Sequence, residues 1–150
     1  MATLDPNFED FLKLLNENKV RYLIVGGYAV GYHGFVRATG DLDIFVERSE
    51  DNASRILQSY LQFGFKEKDV NPGLFLTEGN IVRIGFPPVR IELMNSISGV
   101  EFKDCIGKAE FADMGSIEVP FIDFENLIRN KRASGRPKDL IDIDALKGRN

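Results

Sequence analysis

The chain has 150 residues, is 43% hydrophobic with twelve Phe, and carries a formal net charge of −4. That size suits one domain burying roughly two-thirds of its unfolded surface, and the apolar content excludes a disordered chain. Its single cysteine excludes a disulfide framework or cysteine-cluster zinc site, and its charge leaves no polybasic track for nucleic acid. A small basic patch is still enough to grip a nucleotide or an RNA end. No apolar run reaches the ~18 residues of a membrane span, and the N-terminal stretch lacks a signal-peptide pattern, so a cytoplasmic setting without membrane contact is expected.

In chain order, Asp5 as N-cap, Pro6, and Phe8, Phe11, Leu12, Leu14 and Leu15 at helical spacing predict a helix ended by polar residues 16–19. Residues 20–25 are mostly apolar and read as a buried central strand. Gly26 and Gly27 break it, leaving residues 28–35 for about two helical turns, and residues 36–40 connect to a strand over residues 41–47. On that strand Leu42, Ile44 and Val46 face one side; Asp41, Asp43 and Phe45 face the other.

Ser49 caps a helix over residues 49–63, ended by Gly64. A polar loop follows, then two expected strands, 74–77 and 80–85, around a Glu78-Gly79 turn. Pro87 and Pro88 reset the chain before a strand over residues 89–94, with Arg90 and Glu92 on one face. Residues 100–107 predict a short helix, in which Cys105 is a buried thiol, and residues 118–121 a short strand. Two helices close the chain, about 123–133 and 138–146. Strands alternating with helices predict one α/β or α+β domain with a mixed sheet.

Asp41 and Asp43 offer hard oxygen ligands from one rigid strand, as a divalent cation such as Mg²⁺ requires. Glu92 completes a trio if its strand is a neighbour. Gly26 and Gly27, after a buried strand and before a helix, can offer free backbone N–H groups to a phosphate, although each is also an ordinary turn residue. Arg37 either contacts a phosphate or is a solvated loop residue. Lys131, Arg132, Arg136 and Lys138 form a basic cluster that binds a triphosphate or simply complements a helix end. Asp139, Asp142 and Asp144 read as first-turn and surface acids, with Asp139 paired to a cation. His33 is expected to pack or cap, and Ser96 and Ser98 support no hydrolase triad.

The order hydrophobic strand, Gly-Gly, short helix, Arg-x-Thr, D-L-D-I and a later strand-borne acid resembles the nucleotidyltransferase superfamily of DNA polymerase β-like fold. The C-terminal run IDFENLIRNKRASGRPKDLIDIDAL is similar to the closing helices of its small prokaryotic stand-alone members, including abortive-infection and toxin–antitoxin-related groups. The likeness spans about residues 20–147. It implies a nucleotidyltransferase fold in which Asp41, Asp43 and Glu92 bind Mg²⁺ or Mn²⁺ and carry catalysis. It also implies that Gly26, Gly27, Tyr28, Arg37, Thr39, Lys131 and Lys138 meet a nucleoside triphosphate such as ATP. Many members place a Ser after the glycines where this chain has Tyr28, so backbone donors would have to serve the phosphate. No separate helical substrate domain is expected, so acceptor recognition would be minimal or supplied by a partner. The implied activity is transfer of a nucleoside monophosphate to a hydroxyl on RNA, protein or a small molecule. The alternative is a catalytically weak, antitoxin-like regulator acting through a protein partner.

Overall fold

The computed structural model describes residues 5–148; the ends of the expected 1–150 domain lie outside that range. Helix α1 (Pro6–Glu17) is capped by the Asp5 carboxylate accepting from the Asn7 amide, and buries Phe8, Phe11, Leu12 and Leu15. Strand β1 (Tyr22–Val25) is buried throughout. Helix α2 (Gly26–Tyr32) starts on the glycines themselves, so they are its first turn and not a turn preceding it. Residues 33–40 then lead into β2 (Asp41–Val46).

Helix α3 (Glu50–Phe63) begins with the Ser49 hydroxyl accepting from the Asn52 amide and ends at Gly64. The buried Asn52 side chain accepts from the Arg21 amide and donates to the carbonyls of Arg21 and Glu47. It thereby ties the start of β1 to the end of β2.

The strand expected at 74–77 is instead part of 3₁₀ structure (Pro72–Phe75). Asn71 accepts from the Gly73 amide through its side chain, and the amides of Leu74 and Thr77 turn back to Asn71 and Gly73. Those local bonds satisfy the backbone without a sheet partner. Strand β3 (Ile81–Phe86) therefore pairs forward, antiparallel to β4 (Val89–Met94), and Pro87–Pro88, a cis peptide, makes the hairpin turn instead of separating the two.

After α4 (Phe102–Ile106), where Cys105 is fully buried, comes an unpredicted strand, β5 (Glu110–Met114). Its residues are mostly exposed and its apolar members, Phe111, Ala112 and Met114, do not alternate with polar ones, so only antiparallel pairing to β6 (Ile117–Phe121) makes it a strand. Helices α5 (Phe124–Ser134) and α6 (Pro137–Lys147) pack as a hairpin through Gly135.

The six strands form one mixed sheet in the order β3-β4-β2-β1-β6-β5, so β1 and β2 are central. Strands β2 and β4 run parallel, Asp41 beside Arg90 and Asp43 beside Glu92; β1 runs antiparallel to β2 and parallel to β6. One face of β2 and β4 buries Leu42, Ile44, Ile91 and Leu93; the acids occupy the other. The architecture is a small α+β domain with a mixed sheet flanked by helices.

Phe11 meets Tyr60 and Phe63 edge-on at 5.6 and 5.2 Å, locking α1 to α3. Phe11→Ala should lower the free energy of unfolding by about 3–5 kcal/mol. Chemical denaturation would show this as an earlier midpoint with an unchanged slope.

Candidate active site

Parallel pairing of β2 with β4 decides the geometry. Asp41, Asp43 and Glu92 each offer a carboxylate oxygen, and those oxygens lie within 4.8 Å of one another. An Arg90 nitrogen stands 2.8 Å from Asp41 and 3.3 Å from Glu92, and Arg83 approaches Glu92 at 3.4 Å. Neither arginine is singled out by residue type. Alternation along β4, which puts Arg90 on the face of Glu92, was the available signal.

The three carboxyls are not equivalent. The hydrogen bond from Arg90 holds Asp41 below its ordinary range, against the opposing effect of burial. Burial first, then the charges of Glu92 and Asp41, push Asp43 up to about 6. Glu92 is raised by burial and by its hydrogen bond with Asp41. This is a crowded set of hard oxygen donors with negative charge in surplus at Asp43. Such a set fits Mg²⁺ or Mn²⁺, whose charge would offset the burial and the neighbouring charges that raise Asp43.

The glycines close one side of the cluster. Gly26 has φ +65°, and a Cβ there would collide with the Asp43 carboxylate. A Cβ on Gly27 would collide with the Thr39 hydroxyl. Both positions need glycine so that the first turn of α2 can lie against the acid strand. No side chain caps α2 at Val25. The Tyr28 ring packs edge-on against Phe8 of α1 at 6.1 Å. Burial and the charge of Asp5 raise its hydroxyl.

The C-terminal helices surround the acids with cations. Lys131 is buried, 3.2 Å from Asp139 and 3.0 Å from Asp142. Arg37 grips both oxygens of Asp142, at 2.9 and 3.0 Å, and is therefore an ion-paired residue, not a solvated loop one. Arg136 binds Asp139 at 2.8 Å. Lys138 has no ion pair among the described residues, and its charge is felt at both Asp41 and Asp43.

Asp139 and Asp142 are therefore not surface acids. They are 0% and 1% exposed, because three cations from separate elements need counter-charges there. His33 lies away from this chemistry: its Nε2–H donates to the Ile122 carbonyl at 2.7 Å, and its ring packs on Tyr32 and Phe124.

With this arrangement in view, the family can be assigned. Residues 6–149 match the model of the family described as "Nucleotidyl transferase of unknown function (DUF2204)". The chain belongs to that family. Two solved structures share the fold of this nucleotidyl transferase family member. A candidate nucleotidyltransferase from Thermotoga maritima, TM1012, is 16% identical, with TM-score 0.62 over 95% of this chain and 91% of its own. The lincosamide antibiotic adenylyltransferase LnuA, solved with lincomycin bound, is also 16% identical, with TM-score 0.57 over 100% of both chains. No curated protein sequence matches the chain significantly. Family and fold together mark an enzyme of the transferase class.

Two outcomes test the site's architecture. Gly26→Ala should fold but lose divalent-cation binding, measured by calorimetry, because the methyl group displaces Asp43. The second concerns pH. Burial would raise the Asp139 and Asp142 carboxyls, but Arg136, Ser134 and Lys131 for Asp139, and Arg37 and Lys131 for Asp142, hold both below the ordinary range. The stability they contribute is complete above about pH 4 and is lost as pH falls below it. Asp139→Asn should therefore be less stable at pH 7, by about 3 kcal/mol. Its melting temperature should also depend less steeply on pH between about 4 and 2.

Proposed function

We propose that this protein transfers a nucleoside monophosphate from a nucleoside triphosphate to a hydroxyl acceptor. The observation that carries the reading is the convergence of Asp41, Asp43 and Glu92 from adjacent parallel strands beside the Gly26–Gly27 backbone. Asp41, Asp43 and Glu92 would hold Mg²⁺ or Mn²⁺, which when bound supplies charge neutralisation at the phosphate oxygens.

In the transfer, the acceptor oxygen forms a bond to the α-phosphorus as the bond from that phosphorus to the β-phosphate bridging oxygen breaks. Pyrophosphate leaves, and the hydroxyl proton passes to the Glu92 carboxylate. Gly26, Gly27 and Tyr28 present backbone N–H groups to the phosphates, and Thr39 supports Gly27. Lys138 is the mobile cation for the triphosphate, while Lys131 and Arg37 lend positive charge from behind, held by Asp142. Positioning and charge complementarity supply the rate enhancement.

A small-molecule acceptor is favoured over RNA. LnuA, whose structure holds lincomycin, matches this chain over the full length of both. The net charge of −4, with most cations near the acids already paired, leaves little for an RNA backbone. Membership of an abortive-infection or toxin–antitoxin subgroup and a cytoplasmic location belong to the same reading.

One observation supports a regulatory alternative, in which the protein binds nucleotide weakly or without turnover and acts through a protein partner. Arg90 already serves as an internal counter-ion to Asp41 and Glu92. Tyr28 in place of a Ser points the same way.

Asp43→Asn should reduce single-turnover transfer from labelled ATP, GTP, CTP or UTP by at least about a hundredfold, the scale of losing one charge-stabilising group. Its melting temperature should not fall, because the substitution removes a half-buried, repelled carboxylate. Unchanged transfer would overturn the assignment. Calorimetric binding of Mg²⁺ and nucleotide without turnover in the wild type would favour the regulator.

A further inference from the structure

We infer that Asp142 is a positioning residue for the glycine turn, acting through Arg37 and Thr39; this rests on the nucleotidyl-transfer reading of the site. Residues 33–40 join α2 to β2 without regular structure, and Val36, Ala38 and Gly40 within them are exposed. His33 and Phe35 anchor its start, on the Ile122 carbonyl and on the core, but residues 36–40 have little apolar packing to set their path. Yet they must deliver Asp41 to the start of β2 and keep Thr39 against Gly27.

Arg37 supplies the constraint. Its Nε and Nη2 donate to the two oxygens of Asp142 at 2.9 and 3.0 Å. Its Nη1 donates to the Ala38 carbonyl at 3.3 Å and to the Thr39 hydroxyl at 3.4 Å. The Thr39 hydroxyl in turn fills the space where a Gly27 side chain would stand. One guanidinium fork thus connects a buried carboxylate on α6 to the backbone proposed to meet the phosphates, across 105 residues of sequence.

The fork is rigid and planar, so docking it on Asp142 orients the remaining donors toward the loop. A lysine has the charge but cannot make both sets of contacts at once. Asp142 is itself held from the other side by Lys131 at 3.0 Å. The loop is therefore referenced to the α5–α6 hairpin as well as to the sheet.

The test uses the full-length chain with Arg37→Lys, Asp142→Asn, the double variant, and Asp144→Asn as an exposed control on the same helix. Phe11→Ala serves as a variant destabilised elsewhere. Nucleotide KM and kcat, Mg²⁺–ATP affinity, melting temperature and amide hydrogen exchange are measured for each.

Arg37→Lys and Asp142→Asn should each raise the nucleotide KM about tenfold and speed exchange in residues 26–40 while α1 and α3 stay protected. The double variant should be no worse than the poorer single one, as expected for one shared interaction. Phe11→Ala should lose stability without a change in KM, and Asp144→Asn should match wild type. The inference is overturned if exchange in residues 26–40 is unchanged. It is equally overturned if KM merely tracks stability across all variants, or if the two single effects add. If the wild type binds no nucleotide, the transfer reading fails, and the exchange contrast alone decides the positioning role.

Discussion

Three carboxylates within 4.8 Å of one another repel, and much of the structure around them answers that repulsion. Backbone pairing of β2 with β4 forces the acids together, because the register leaves Asp43 no position except beside Glu92. Arg90 on β4 and Arg83 on the neighbouring β3 neutralise part of the charge. The remainder stays on Asp43, whose carboxyl is pushed up to about 6. A site of this kind is held in a poised condition by the sheet. Its backbone hydrogen bonds and buried Leu42, Ile44, Ile91 and Leu93 carry the cost of crowding the acids on the opposite face.

The second tier of charge is arranged differently. Lys131, Arg37 and Arg136 come from α5, the 33–40 segment and the α5–α6 turn, and meet two acids of α6 that are almost wholly buried. A buried ion network of this sort contributes little net stability compared with an apolar core, but breaking one member leaves an uncompensated charge. Its consequence is geometric. The C-terminal hairpin cannot shift without disturbing the loop that enters the acid strand. Lys138, at the start of α6 and outside the network, remains available at the rim of the acids.

Glycine has a specific use at two positions. The first turn of α2 lies so close to β2 that side chains at Gly26 or Gly27 would strike Asp43 or Thr39. The same closeness leaves room for only a bare backbone between α2 and the acid strand. Tyr28, the next residue, turns its ring to Phe8 of α1.

Much of this was determined by sequence alone. Period-two alternation set Asp41, Asp43 and Glu92 on the polar faces of their strands, and helical spacing with caps at Asp5 and Ser49 marked two helices, because these signals are local. The short edge strand β5 and the β3–β4 hairpin were not legible in the same way. One lacks an apolar alternation, and the other depends on which run wins the pairing after local bonds consume residues 72–77. Only the tertiary structure decided that β4 lies beside β2, that Asp139 and Asp142 are buried, and that Arg37 faces Asp142. Each is a contact between residues far apart in the chain, where charge type shows that a partner is needed but not which one it is. The trio of acids shows both halves: residue type and spacing supplied the carboxylates, and strand order brought them together.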